Sequence, residues 1–251
     1  MHKILAKTLF VGQKIHFVPE CQSTNDMAAD LLKNESVVEG AMVVTDKQTN
    51  GRGQRGNTWE SSAGKNLTLS IILKPKFLTP RDHFQLHYIT SLAVCTTLLR
   101  YFRDVKIKWP NDLLIKGKKI CGILIENNIR GRSIENSIVG IGLNVNQSSF
   151  DYALATSFVD LSGQDYSREE ILTILLEQIE SKYLMLKAGR LEELKKEYLR
   201  HLFRIGDSAL YEAAGVQFTG TIQGVDEEGR LIIATANDVR YFEFKEVKFI
   251  Y

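Results

Sequence analysis

Gln48-Thr49-Asn50-Gly51-Arg52-Gly53-Gln54-Arg55-Gly56-Asn57-Thr58-Trp59 is the stretch around which the rest of the chain is organised. Three glycines separate two arginines and a glutamine, and an aromatic ring closes the run. Glycine reaches backbone angles that other residues avoid, so successive amide N–H groups can line a concave surface that favours an anion. Arg52 and Arg55 add planar donors matched to carboxylate or phosphate. Taken alone, the stretch reads first as a surface loop, because glycine-rich signals are common. An arginine-glycine segment touching nucleic acid is the other plain reading. Its flanks change the balance. Ala41-Met42-Val43-Val44-Thr45 before it and Asn66-Leu67-Thr68-Leu69-Ser70-Ile71-Ile72-Leu73 after it are apolar runs of strand length. A long loop framed by two core strands is positioned by rigid neighbours, and such loops carry function more often than idle ones do.

Upstream, His16-Phe17-Val18 reads as a short strand. Ser23-Thr24-Asn25 then offers three N-caps to a helix whose apolar side is Met27, Ala28, Leu31 and Leu32. Capping explains one of the three; a small polar ligand at the positive end of the helix would use the others. Downstream, Thr79-Pro80 starts a helix expected to run to about Phe102, with Leu86, Ile89, Leu92, Ala93, Thr96 and Leu99 on its core side. Val105 to Trp109 alternates like a strand and stops at a polar corner, Lys108-Trp109-Pro110-Asn111-Asp112, which serves equally as a turn or as a set of ligand contacts.

Leu113-Leu114-Ile115 and Ile120 to Glu126 flank Lys116-Gly117-Lys118-Lys119 as a hairpin. Alternation sends Lys118 and Lys119 to opposite faces. Lys118 reads as solvated and Lys119 as the lysine carried toward a pocket, while Glu126 at the far end reads as structural. Ser137 to Asn146 is a buried strand holding Gly140, Gly142 and Asn144, the mark of a bulge or of close approach by a ligand. Ser167 and Glu170 have capping-box spacing and open a further helix; Leu191 to Phe203 is a charged helix with a solvated face. From Ile205 the pattern changes to short alternating segments separated by turns. We read these as a small five-stranded barrel and divide the chain into domains at 1–204 and 205–251.

The 251 residues suffice for one large domain and a small one, and the formal net charge of +2 gives no bulk reason to bind nucleic acid or an anionic membrane. No apolar run reaches the roughly 18 residues of a spanning helix. Met1 to Lys7 has no clear cleavage site, so the chain reads as cytoplasmic. Cys21, Cys95 and Cys121 form no C-x-x-C pair, and Cys95 and Cys121 sit among apolar residues as buried free thiols. His83 and His87 are four apart but lack a third ligand. They read as a partly exposed helix face, and no metal site is expected within the protein.

With these pieces in order, the chain resembles the biotin protein ligases over nearly its whole length. The resemblance rests on Ser23-Thr24-Asn25, Gln48 with Gly51-Arg52-Gly53, Lys108 to Asp112, Lys119 to Glu126, and Gly140-Ile141-Gly142-Leu143-Asn144 in that order, followed by an SH3-like barrel. It implies an α+β fold, a mixed sheet flanked by helices and related to class II aminoacyl-tRNA synthetases. It also implies activation of biotin by ATP to biotinyl-5′-adenylate, then transfer to one lysine of a biotin carboxyl carrier protein. By resemblance Ser23, Thr24, Asn25, Gln48, Arg52, Gly53, Gln54, Lys119 and Gly122 would contact biotin, and Arg55, Trp59, Asn111, Lys119 and Asn144 would serve ATP. Lys119 and Arg52 would offset the repulsion between the attacking carboxylate and the α-phosphate, with Mg²⁺ on the phosphates. Asp112 would orient or deprotonate the carrier lysine, or serve structure alone.

Two departures stand out. The family often carries arginine where this chain has Gln54 and another basic residue where it has Asn57, which implies weaker retention of the adenylate. Some members begin with a helix-turn-helix, whereas this chain reaches its motifs by residue 23, so we expect no DNA binding. We expect a monomer or homodimer with no membrane association. Two alternatives remain open: a lipoate ligase, and a non-catalytic module gripping nucleic acid. Against the second stand the near-neutral charge and the lack of an aromatic-basic array in the sequence.

Overall fold

The computed structural model describes residues 6–34 and 36–251 and every side chain among them except that of Arg55. Seven strands form one mixed sheet: β1 (Ile15–Cys21), β2 (Met42–Gln48), β3 (Leu67–Leu73), β4 (Val105–Lys108), β5 (Asp112–Ile115), β6 (Lys118–Arg130) and β7 (Ser133–Leu143), in the order β1-β2-β3-β7-β6-β5-β4. β1 and β2 are parallel and every other pairing is antiparallel. α1 (Thr24–Asn34) is the crossover between the parallel pair. β1 runs straight through Pro19, which an edge strand tolerates because one side of its ladder is unused.

The two faces of the sheet differ. On one, α2 (Gln85–Leu98), α4 (Arg168–Lys187) and α5 (Leu191–His201) bury the main core, including Leu69, Ile71, Leu92, Ile123, Val139 and Leu175. On the other, α1 covers only Val43, Ile72 and Ile138 through Ala28. Beyond that patch the same face carries Ser70, Gly140, Thr68, Gly142 and Gly122, small residues that leave room above the sheet. Ser157 caps a short helix, α3 (Phe158–Ser162), which the sequence reading did not contain.

The expected helix from Thr79 to Phe102 is shorter and compound. Pro80–Phe84 is a 3-10 turn with Thr79 and Asp82 in a capping box, and α2 follows it. The last hairpin of the sheet is longer than expected, since β6 continues past Glu126 to Arg130 and returns as β7. A second sheet holds β8 (Ser208–Ala213), β9 (Val216–Val225), β10 (Leu231–Ala234), β11 (Val239–Phe242) and β12 (Val247–Phe249), all antiparallel in the order β11-β10-β9-β8-β12. It is the SH3-like unit, curled over Tyr211, Ile222, Leu231, Ile233, Phe242 and Val247.

His87 corrects the sequence reading. It is fully enclosed, stacked on Phe84 at 5.1 Å and edge-on to Phe244 of the second unit at 5.6 Å, because the helix face we expected to be half exposed is where the two units meet. Trp109 lies in the same seam and donates from Nε1 to the carbonyl of Gly229 at 2.9 Å.

Candidate active site

A cavity of about 630 Å³ opens over the uncovered face of the sheet. Its inner end is built by α1. Thr24 donates from its N–H (2.8 Å) and its hydroxyl (3.2 Å) to Gln48 Oε1, and Ser70 donates to Asn25 Oδ1 (2.6 Å) and lies 2.8 Å from the Thr24 hydroxyl. Asn25 Nδ2 donates to Glu126 Oε2 at 2.7 Å. Buried polar groups must be paired, so these bonds fix the side chains in one arrangement. With its oxygen committed, Gln48 presents Nε2. Ser23, buried at the start of α1, lines the same end. Asn25 also lines the cavity, with Nδ2 on the Glu126 carboxylate and the Leu124 carbonyl and Oδ1 accepting from Ser70.

The glycines set the floor. A Cβ built on Gly140 would lie 2.3 Å from Asn25 Oδ1, and one on Gly142 would lie 2.2 Å from the Trp59 ring. Gly122 pairs with Gly142 across β6 and β7, and the indole of Trp59 lies over both. The loop that delivers Trp59 is closed by its own backbone, with Trp59 N–H on the Gly51 carbonyl at 2.9 Å and Gly53 N–H on the Asn57 carbonyl at 2.7 Å. Gln54 begins a 3-10 turn and lines the cavity. The side chain of Arg55 lies outside the described residues.

A bulge aims Lys119. Strict alternation would place it with Cys121 and Ile123 on the core side. Between Leu113 and Leu114 the β5–β6 register shifts, so Ile120 is an extra residue and both Ile120 and Cys121 turn inward. Lys119 thereby joins Gly122 and Leu124 on the cavity face, its Nζ 2.7 Å from Asp112 Oδ1 and 5.6 Å from the Trp59 ring centre. Its backbone is bracketed by the Leu154 carbonyl and the Thr156 N–H. Asn111 also lines the cavity, with Nδ2 on the Ile123 carbonyl at 2.6 Å. Asn144 does not reach the wall: it is buried behind Lys119, holding the Thr156 carbonyl at 3.0 Å.

Arg52 faces two carboxylates, Asp26 at 2.7 Å and Glu126 at 2.8 Å. Burial would lower its guanidinium, but Glu126 and then Asp26 outweigh that and leave it raised. The sequence reading had set Glu126 aside as structural and had not singled out Asp26 or Ser70. Nor had it drawn the second unit into the site. Lys245, Val247, Lys248, Phe249 and Tyr251 line the mouth, and Lys108 lies over the rings of Phe249 and Tyr251. With Arg204 over Phe203 and Tyr251, these residues form an aromatic-basic array, which corrects the sequence reading that found none, and it is assembled from three distant segments. Among the described residues the lining holds five cations and one carboxylate, Asp112. The result is a pocket with an amide-lined inner end and a mouth bordered by Lys108, Lys245 and Lys248, the last of them paired with Glu212 at 2.7 Å.

Comparison with known proteins gives two matches to family models: the biotin/lipoate A/B protein ligase family over residues 18–144, and the biotin protein ligase C-terminal domain over residues 213–248. The chain is similar to the bifunctional ligase/repressor BirA of Bacillus spizizenii, 32% identical over 93% of this chain and 73% of the relative. It is 27% identical to a biotin–[acetyl-CoA-carboxylase] ligase of Mycobacterium tuberculosis over 90% of this chain and 88% of that protein. Among solved structures it is similar to the biotin protein ligase from Aquifex aeolicus in complex with biotin and ATP, with a TM-score of 0.79, 28% identity, and coverage of 95% of this chain and all of that one.

Proposed function

The chain belongs to the biotin/lipoate A/B protein ligase family, and from that premise we propose how its residues carry the reaction. The protein is a biotin ligase. It joins biotin to ATP as biotinyl-5′-adenylate with release of pyrophosphate, and passes the biotinyl group to a lysine of a carboxyl carrier protein. The observation that carries the residue assignment is the placement of Lys119, two pleats along β6 from the amide-lined end and beside the cationic mouth.

In this reading Ser23, Thr24 and Gln48 Nε2 meet the polar head of biotin, and Gly140 and Gly142 leave space for its body. The carboxylate then reaches Lys119. Bringing it to the α-phosphate sets anion against anion, which costs about 4 kcal/mol for unit charges 4 Å apart near a protein surface. Lys119 offsets that repulsion and stabilises the charge that grows as the carboxylate oxygen bonds phosphorus and pyrophosphate leaves. Arg52 and Gly53 at the loop start and Gln54 beyond them cover the carboxylate side. Trp59 and Asn111 serve the nucleotide, with Arg55 assigned by family resemblance. Mg²⁺ would travel on the ATP phosphates, with Asp112 the carboxylate at hand. Among the described residues no cluster of three His, Cys, Asp or Glu could hold a metal by itself. In the second step the neutral carrier lysine attacks the acyl carbon and AMP leaves. In this reading Asp112, paired with Lys119, takes the proton that the attacking nitrogen sheds once it has bonded the acyl carbon.

We take the catalytic unit as 1–204 and the SH3-like unit as 205–251, on the ground that the two sheets share no strand. The test is exchange of labelled pyrophosphate into ATP with biotin or lipoate as the acid. We expect exchange with biotin alone, and a loss of at least 100-fold in Lys119→Ala; exchange driven by lipoate, or undiminished exchange in the variant, would overturn the assignment. Among the described residues no helix is long and apolar enough to cross a membrane.

A further inference from the structure

The glycine-rich loop and the amide-lined end of the cavity are joined by a single oxygen. Glu126 Oε2 accepts from Asn25 Nδ2 at 2.7 Å and from Arg52 Nη2 at 2.8 Å, and Arg52 Nη2 also meets Asp26 Oδ1 at 2.7 Å. From Asn25 Oδ1 the bonding runs through the Ser70 hydroxyl to the Thr24 hydroxyl, and Thr24 N–H holds Gln48 Oε1, leaving Gln48 Nε2 turned away from it. Within the loop, Arg52 bridges Thr58, and Trp59 N–H closes onto Gly51, so Arg52, Thr58 and Trp59 are tied together. A continuous hydrogen-bonded path therefore leads from the cation of the loop to the pocket it covers.

We propose that Glu126, with Asp26, is a positioning residue that latches the Gly51–Trp59 loop over the head-group pocket through Arg52. The proposal rests on the biotin-ligase reading for the identity of the ligand, but the latch itself needs no ligand. Three features support it. Charge is needed, since a guanidinium flanked by two carboxylates is the ionic contact between the loop and the rest of the domain, beside the apolar one that Trp59 makes with Gly122 and Gly142. The bonds are weak enough to open: the Arg52, Asp26 and Glu126 side chains are 37%, 47% and 38% exposed, so solvent and salt screen them. And Asn25 has its orientation set by Glu126, because a carboxylate only accepts and so requires the amide nitrogen. A ligand that holds Thr24 and Gln48 in place holds Asn25 and Glu126 in place for Arg52. By reciprocity, a closed loop tightens the ligand.

Glu126→Gln keeps the shape and removes the charge; Asp26→Asn does the same on the solvent side of α1 and puts little of the fold at risk. The first readout is hydrogen exchange of amides 51–59 in the ligand-free full-length protein. We expect protection there to fall roughly five- to tenfold in either variant, with exchange elsewhere and Tm unchanged. We also expect wild-type protection to fall between low salt and 1 M salt, and that of the double variant Asp26→Asn/Glu126→Gln, which removes both carboxylates, to be insensitive to it. The second readout is kinetic: KM for biotin raised several-fold and release of the preformed adenylate faster by a similar factor, with kcat within twofold. Equal loop protection in wild type and both variants, or salt-independent protection in wild type, would overturn the latch. The exchange measurement uses no biotin, so failure of the latch is distinguished from failure of the biotin reading, which wild-type pyrophosphate exchange tests separately.

Discussion

Replacing Gly142 by alanine asks whether the Trp59 ring rests on the floor of the cavity as the structure has it. The added Cβ would stand 2.2 Å from Trp59 Cε2, 2.5 Å from Cζ2 and 2.6 Å from Nε1, where ordinary contact begins at 3.4 Å. The ring must therefore retreat by 3.4 − 2.2 = 1.2 Å or more. The strand gives no comparable way out, because Gly142 is paired on both sides, with Thr68 and with Gly122. Its backbone is ordinary strand, so alanine itself is tolerated and would add up to ~1 kcal/mol of strand stability. A gap of even 0.5–1 Å forfeits a quarter to a half of the dispersion energy. If the floor contact covers roughly 70 Å² of one indole face, lifting it costs ~2 kcal/mol, about a 30-fold loss of the closed loop. Trp59 and Trp109 are the two tryptophans, and Trp109 is buried in the seam between units. Acrylamide quenching of Trp109→Phe with and without Gly142→Ala therefore reads Trp59. We expect greater quenching, a KM for ATP raised at least tenfold in the exchange assay, and an unchanged or higher Tm. Unchanged quenching and KM would refute the floor contact. A Tm lowered by more than about 5 °C would show that the strand yields and not the ring, and would refute the reasoning as well.

Further outcomes follow from neighbouring features. Gln54→Arg adds a cation to a position that lines the cavity; a charge-assisted bond to the adenylate would slow its release by about tenfold, measured by chase with unlabelled ligand, and equal release rates would count against it. His87 is pushed down to about 3, first by burial and then by the nearby charge of His83. Below pH 6.5 the unfolded chain takes up a proton that the folded chain refuses until about pH 3. Stability is thus full above 6.5 and falls on acidification by up to ~1.4 kcal/mol per pH unit. His87→Phe should flatten that acid limb in urea melts at pH 7 and pH 5, and an equal slope in both proteins would exclude His87 as its source. Cys95 is pushed up to about 12 and Cys121 is raised too, both mainly by burial. In the native protein a thiol reagent should therefore label Cys21 first, and all three free thiols only after denaturation, as mass spectrometry would report.

What the sequence by itself determined were the elements and the chemistry held within contiguous stretches. The strands on either side of Gln48–Trp59, the start of α1 after Ser23 and the two glycines of β7 were all legible, because helix and strand periods and glycine's freedom act over a few residues. Where one residue's role depends on distant partners, the tertiary structure decided. Lys119 reaches the cavity only through a bulge whose register is set by β5, and alternation within β6 alone would have buried it. Glu126 becomes the hinge of a bonding path because folding brings residues 25 and 52 to it, and no local pattern distinguishes it from any strand-end glutamate. His87 is enclosed because Phe244 comes from a separate unit, and the basic, aromatic mouth exists only once residues 108 and 249–251 meet. Charge and ring contacts act through space, so their partners are fixed by the packing of the two sheets and not by spacing along the chain.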